Sequence, residues 1–221
     1  MTRKPETLLQ PDLIEALMHA DYADAFALLG MHQHPEKSAL VVRALLPGAV
    51  AVDVIASATH KKVASLNKIH DGGLYEGVMG RRSKRFDYYF KVDYQGDIVV
   101  VQDPYRFASI LRDEDLYLFC EGTQERVYQW MGAHVCENAG ISGTLFVLWA
   151  PEASRASVVG DFNQWDGRRN IMRKHPGSGV WEFFVPDLTD PVAYKYELKD
   201  RDGNLLPLKS DPYAFAMQHP P

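Results

Sequence analysis

Cysteine is nearly absent: Cys120 and Cys136 are the two in 221 residues. Their spacing fits no zinc pattern, and one pair of thiols is no disulfide scaffold. Long apolar runs are missing as well. None approaches 18 residues, so no helix is expected to span a membrane. Residues 1–9 carry charges with no apolar stretch behind them, which argues against a secretory signal. A basic excess is lacking too. Lys and Arg number 24 against 29 Asp and Glu, a net charge of −5, which argues against nucleic acid as a partner. One local run, Arg81, Arg82, Lys84 and Arg85, reads as a solvated strand end rather than a docking patch. The histidines are scattered. His32 and His34 sit two apart, but no Cys or further His stands near to complete a metal set. Neither a metal nor a cofactor is expected. With no export signal the thiols are read as reduced and cytosolic. Cys120, within Leu116-Tyr-Leu-Phe-Cys120, reads as a buried structural residue.

What is present is an ordinary globular balance, 46% hydrophobic and 24% charged. The first thirty residues have helical spacing, with a start at Pro11-Asp12, an apolar face of Leu13, Ile14 and Leu17, and a stop at Gly30. Beyond them the period falls to two, in short Val-, Tyr- and Phe-rich runs between turn residues. These runs repeat. Residues 39–55 correspond to 144–160, and Gly72-Gly-Leu-Tyr-Glu76 to Ser178-Gly-Val-Trp-Glu182. Tyr88-Tyr-Phe-Lys-Val92 corresponds to Tyr194-Lys-Tyr-Glu-Leu198, and Gly96 to Gly203. Asp103-Pro-Tyr-Arg-Phe107 corresponds to Asp211-Pro-Tyr-Ala-Phe215. Five landmarks recur in one order at an offset of about 104 to 108 residues. The expected fold is all-β: two tandem immunoglobulin-like β-sandwiches preceded by a short helical segment. The expected divisions are a helical segment over 1–34, a first sandwich over 35–108, a linker over 109–115 and a second sandwich over 116–221.

One segment departs from core patterning: Gly160-Asp-Phe-Asn-Gln-Trp-Asp-Gly-Arg-Arg169. It sets Trp165 in a polar, turn-forming loop. A pyranose offers a flat C–H face to an aromatic ring and a rim of hydroxyls to polar groups. Trp165 with Asn163 and its polar neighbours supplies both. This segment resembles the N-terminal part of the bacterial glycogen branching enzymes, as do Ser178-Gly-Val-Trp-Glu182, Tyr194-Lys-Tyr196 and Leu208-Lys-Ser-Asp-Pro-Tyr-Ala-Phe215. Leu28-Leu-Gly-Met-His32 and Asp103-Pro-Tyr-Arg-Phe107 fit that family's first domain. Phe146-Val-Leu-Trp-Ala-Pro151 fits its second, which is similar to the family 48 carbohydrate-binding module of isoamylases and the AMP-activated kinase β subunit.

The resemblance implies a glucan contact through Trp165, which stacks on glucose, and Lys195, which bonds sugar hydroxyls. Asn163 completes the candidate carbohydrate-binding set. Where kinase-type modules place a second stacking Trp, this sequence has Leu205, which offers no π face. The first sandwich carries no aromatic at the corresponding Ala56-Ser-Ala-Thr-His-Lys-Lys62. The resemblance associates that domain with the length of chain transferred. The chemistry of the family, cleavage of an α-1,4-glucan and transfer to a 6-hydroxyl, belongs to a following (β/α)₈ barrel of at least about 200 residues. The chain ends at His219-Pro-Pro221, where that barrel is expected to follow. No catalytic residue is therefore assigned, and the chain alone is expected to be inactive. The expected partners are α-glucan and the C-terminal barrel, and the expected location is cytoplasmic. The alternative is a free-standing glucan-binding scaffold.

Overall fold

A computed structural model describes residues 7–80 and 82–217. Arg81 of the basic run and residues 218–221 lie outside them. The chain divides into two compact units. One comprises the residues up to His19 with Ala25–Arg106, and the other Ala20–Asp24 with Phe107 onward.

In the first unit, helix α1 (Pro11–Met18) begins with proline, whose missing N–H costs nothing in a first turn. It buries Ile14, Leu17 and Met18. A single turn, α2 (Ala25–Leu28), follows. Gly30, at φ +89°, then opens β1 (Gly30–Gln33), so a strand begins inside the segment whose spacing reads as helical. The other strands are β2 (Leu40–Leu45), β3 (Ala51–Ala56), β4 (Lys61–His70), β5 (Leu74–Val78), β6 (Tyr88–Tyr94) and β7 (Asp97–Val101). They form one antiparallel sheet in the order β1-β2-β5-β4-β3-β6-β7. Strand β4 serves two partners: Lys61–Leu66 pairs with β3, and Asn67–His70 with β5. A register shift in each ladder lets the sheet turn the corner there. The curled sheet closes on Leu40, Val42, Val52, Val54, Tyr75, Tyr88, Phe90 and Val92.

The second unit opens with helix α3 (Asp113–Glu121), where the sequence reading places a linker and the start of a sandwich. Three acidic residues occupy its first turn, and Gly122 caps it in the left-handed region at φ +73°. Because this run is a helix and only Leu116 of it is buried, Cys120 lies exposed in the last turn, against the expectation of a buried thiol. The strands are β8 (Gly132–Asn138), β9 (Ile141–Trp149), β10 (Arg155–Gly160), β11 (Arg173–His175), β12 (Val180–Pro186) and β13 (Tyr194–Lys199). A four-stranded sheet β11-β12-β9-β8 accompanies a two-stranded sheet β10-β13. Phe146, Val158, Trp181, Phe183 and Tyr196 are fully buried. Both units are all-β sandwiches built from antiparallel sheets, as the repeat implies. Among the described residues no helix is long and apolar enough to cross a membrane.

Candidate functional site

The site grows from the pairing of β10 with β13. Opposed residues in an antiparallel pair share a face. Ala156 with Leu198 and Val158 with Tyr196 form the buried inner face. Arg155, Ser157 and Val159, opposed to Lys199, Glu197 and Lys195, form the outer one. That outer face would ordinarily meet solvent, yet Arg155, Ser157 and Val159 are all buried. The loop of residues 161–170 explains this. Ser157 Oγ donates to the Gly167 carbonyl at 2.6 Å, and Arg155 Nη1 donates to the same oxygen at 3.3 Å. Arg155 Nη2 donates to Glu197 Oε1 at 2.6 Å, closing the network across the strands. A Cβ at Gly167 would stand 1.9 Å from Glu197 Oε1, so a larger residue there would displace the carboxylate that Arg155 holds. The return strand is then tied to the free edge of β10, with Val158 N–H on Asn170 O and Met172 N–H on Ala156 O.

The loop holds Trp165 at its turn. Asp161–Asn163 make one 3₁₀ turn, and Gln164 and Trp165 then both adopt left-handed backbone, at φ +60° and +59°. Trp165 N–H donates to Gly160 O at 2.9 Å, and its indole Nε1–H donates to Asp161 Oδ1 at 2.8 Å. The side chain remains 39% exposed. Asp166 follows, clasped by Arg168 through Nε at 2.9 Å and Nη2 at 2.6 Å. Burial pushes the Asp166 carboxyl up, but the hydrogen bonds and charge of Arg168 outweigh it and hold the pKa below the ordinary value.

Lys195 is exposed on the outer face, opposite Val159. Its neighbour Tyr194 pairs with Gly160, the residue that accepts the Trp165 amide. The backbone at Trp165 and at Lys195 therefore lies at one end of the β10–β13 pair, although 30 residues of sequence separate them. Leu205, which lies beyond β13 and bridges back to Lys199 at its end, is exposed. Asn163 is placed differently. It is buried, and its amide is spent inside the loop: Oδ1 accepts Gly160 N–H, and Nδ2 donates to Val158 O and Asn170 Oδ1. Its position is that of a strut beneath Trp165. The sequence reading missed Asp161 and the Arg155–Ser157–Gly167 network. Asp161 carried one signal, its i, i+4 spacing to Trp165.

The arrangement offers a held indole on the loop and an exposed lysine on β13, with no cluster of three or more His, Cys, Asp or Glu able to hold a metal among the described residues. Comparison with known proteins follows the same two units. Residues 10–105 match the N-terminal domain of alpha-1,4-glucan branching enzyme GlgB. Residues 130–214 match carbohydrate-binding module 48, the isoamylase N-terminal domain. The 1,4-alpha-glucan branching enzyme GlgB of Shewanella frigidimarina is 46% identical over 206 residues, covering 93% of this chain and 28% of that protein. The chain matches the N-terminal region of the glycogen branching enzymes. The branching enzyme of Roseobacter denitrificans is 42% identical over 207 residues, with 94% and 28% coverage. The chain thus spans just over a quarter of the branching enzymes it matches and corresponds to their N-terminal region. A pullulanase complexed with maltotriose from an Anoxybacillus species superposes at TM-score 0.32 with 16% identity, covering 84% of this chain and 26% of that one.

Proposed function

We propose that this chain is the glucan-binding N-terminal portion of a branching enzyme that cleaves α-1,4-glucan and transfers the chain to a 6-hydroxyl. In this reading Trp165 stacks on a pyranose ring, Lys195 donates to its hydroxyls, and Asn163 holds the loop that carries both turn and platform. The observation that carries it is the large aromatic left exposed in a loop otherwise tied down by buried hydrogen bonds. The second sandwich, taken as 116–221, is the glucan-binding unit. The first, 35–108, has a four-residue turn where the second has the Trp165 loop. The catalytic part of the enzyme is the partner we assign to an apolar surface of the second unit. There, exposed Trp149 and Tyr213 border a cavity of about 860 Å³ that Phe119 and Met131 also line. Cytoplasmic glycogen is the natural substrate.

The test is calorimetry with maltoheptaose on the intact chain. The expected affinity of this site is in the micromolar to millimolar range, about −8 to −4 kcal/mol. Leu205 in place of a second ring pushes toward the weaker end. Truncating a central Trp anchor costs on the order of 2 kcal/mol, so Trp165→Ala abolishes measurable binding and Lys195→Ala weakens it less. Unchanged affinity with a lowered melting temperature would make Trp165 a packing residue and remove the glucan site. The chain alone leaves the iodine stain of amylose unchanged; loss of colour with pure protein would contradict the assignment of catalysis to the region of the relatives that this chain does not span.

A further inference from the structure

We infer that Asp161 is a positioning residue for the glucan platform: its carboxylate holds the Trp165 indole by the N–H and presents the ring face, not the N–H, to the sugar. The inference rests on the glucan reading of Trp165. It starts from an oddity of the loop. Two successive residues with side chains, Gln164 and Trp165, sit in left-handed backbone, a region L-residues rarely adopt. A loop so strained relaxes unless its surroundings over-determine it. The backbone supplies three restraints across this turn, Gln164 N–H on Asp161 O at 3.2 Å, Trp165 N–H on Gly160 O at 2.9 Å and Asp166 N–H on Asn163 O at 3.3 Å. None of them fixes the side chain. The bond that fixes it is Nε1–H to Asp161 Oδ1 at 2.8 Å, which closes a ring from residue 161 to residue 165.

Two consequences separate this from a merely structural bond. First, the indole has one polar donor, and Asp161 occupies it. Recognition of hydroxyls falls to other groups, Lys195 foremost. Second, a half-exposed indole with two free torsions would lose that freedom on binding sugar. Fixing it beforehand shifts the cost to folding and tightens the complex.

The experiment uses the intact chain and three variants, with maltoheptaose as ligand and the tryptophan indole N–H resonances as the second readout. Trp165→Phe removes the Trp165 resonance and so identifies it. In the native protein the Trp165 indole proton keeps its bonded shift and slow exchange on titration, while the ring protons move. Asp161→Ala moves the indole N–H resonance of the free protein, speeds its exchange with solvent and weakens binding about 3- to 10-fold, with a melting temperature within about 3 °C of native. Asp161→Asn keeps an acceptor oxygen and restores affinity to within about twofold. Native affinity for Asp161→Ala, alongside lost binding for Trp165→Ala, overturns the positioning role and leaves the platform standing. An unmoved indole resonance in Asp161→Ala overturns it with no ligand present. Failure of Asp161→Asn to restore affinity overturns it in favour of the charge. Absence of binding by the native chain overturns the platform, and the inference with it.

Discussion

The two units repeat one framework in different materials. Strands β1, β2, β3, β5 and β6 of the first correspond to β8, β9, β10, β12 and β13 of the second, with the same antiparallel neighbours. His32 and His134, on β1 and β8, each place Nε2 at 2.8 Å from a carbonyl three residues back. Tyr75 and Trp181, each one residue before a glutamate, bond the carbonyls of Ala49 and Ala150. Asp103 accepts Tyr88 O–H and the Tyr105 amide. Asp211 accepts Tyr194 and Tyr196 O–H and the Tyr213 amide. The Asp-Pro-Tyr motif is thus an Asx-type turn that locks the segment after the sandwich onto β6 in one unit and β13 in the other. Conserving these anchors leaves the connections free to differ. Between β3 and β4 the first unit turns in residues 57–60. At the same place the second unit inserts the loop of 161–170, and its return pairs with β10 through Ile171 and with β12 through β11. The candidate site lies at a large departure from the shared plan.

The buried glutamates test the shared plan most severely. Glu76 accepts Leu8 N–H at 3.0 Å and Arg43 Nε at 2.6 Å. Glu182 accepts Leu111 N–H at 3.2 Å and Arg173 Nη1 at 3.2 Å, with His175 at 3.4 Å. The carboxylate is equivalent, but its cation stands on β2 in one unit and on β11 in the other. At Glu182 burial raises the pKa, while bonds from His175 and Ser109 and the His175 charge outweigh it and lower the value. Removing one member of a buried pair leaves the other uncompensated, at about 3–5 kcal/mol. Glu76→Ala should lie at the upper end and Glu182→Ala at the lower. The reason is that the Arg43 side chain is 8% exposed and that of Arg173 25%. Urea unfolding followed by hydrogen exchange reads both the size and the unit affected. A smaller loss for Glu76→Ala breaks the equivalence.

A pH titration sharpens the comparison next. Burial pushes Asp103 up to about 6, against bonds from Tyr88 and the Tyr105 amide and the charge of Arg106. A carboxyl whose pKa is raised on folding binds a proton as the chain folds. Its contribution is therefore greatest below about pH 4, is lost as pH climbs through about 6, and is flat above. A shift of this size corresponds to roughly 2–3 kcal/mol. Asp103→Asn should remove that part of the pH dependence between pH 4 and 6 while preserving an acceptor for Tyr88. Parallel stability curves for the two proteins would contradict it.

The sandwich and its duplication were legible because glycine, tyrosine and Asp-Pro-Tyr landmarks report local backbone demands. The location of Trp165 was legible for the same reason, since a large ring among turn-formers has nowhere local to hide. Helix α3 was not read, although its acidic first turn and Gly122 were both signals. The apolar run Leu116–Cys120 outweighed them, and only its Leu116 is buried. Asn163 was read by residue type as a sugar ligand. Its burial depends on Asn170 and on β10, and the composition of the loop does not reveal which polar side chains turn inward. Glu182 reaches the Leu111 amide across 71 residues, a pairing that no local pattern announces.

The smallest effect separates the two connections directly. The short turn ends at His60, φ +53°, and the long loop turns through Gln164, φ +60°. Left-handed backbone costs an L-residue about 1–2 kcal/mol, and glycine avoids this. Glycine also enlarges the unfolded ensemble, which takes back about 0.4–1 kcal/mol. His60→Gly and Gln164→Gly should therefore both stay within about 1 kcal/mol of native in urea unfolding. Their effects on maltoheptaose binding should differ. Gln164 precedes Trp165, whose own φ is +59°, and a glycine there frees the turn that aims the ring. Gln164→Gly should weaken binding by about two- to fivefold, because the freed torsions must be fixed again on association. His60→Gly lies in a turn with no aromatic and should leave the affinity unchanged. Equal losses from both substitutions would mean that the difference between the connections does not create the site. No loss from Gln164→Gly would mean that the left-handed pair is an incident of chain routing, with the ring held by its indole bond alone.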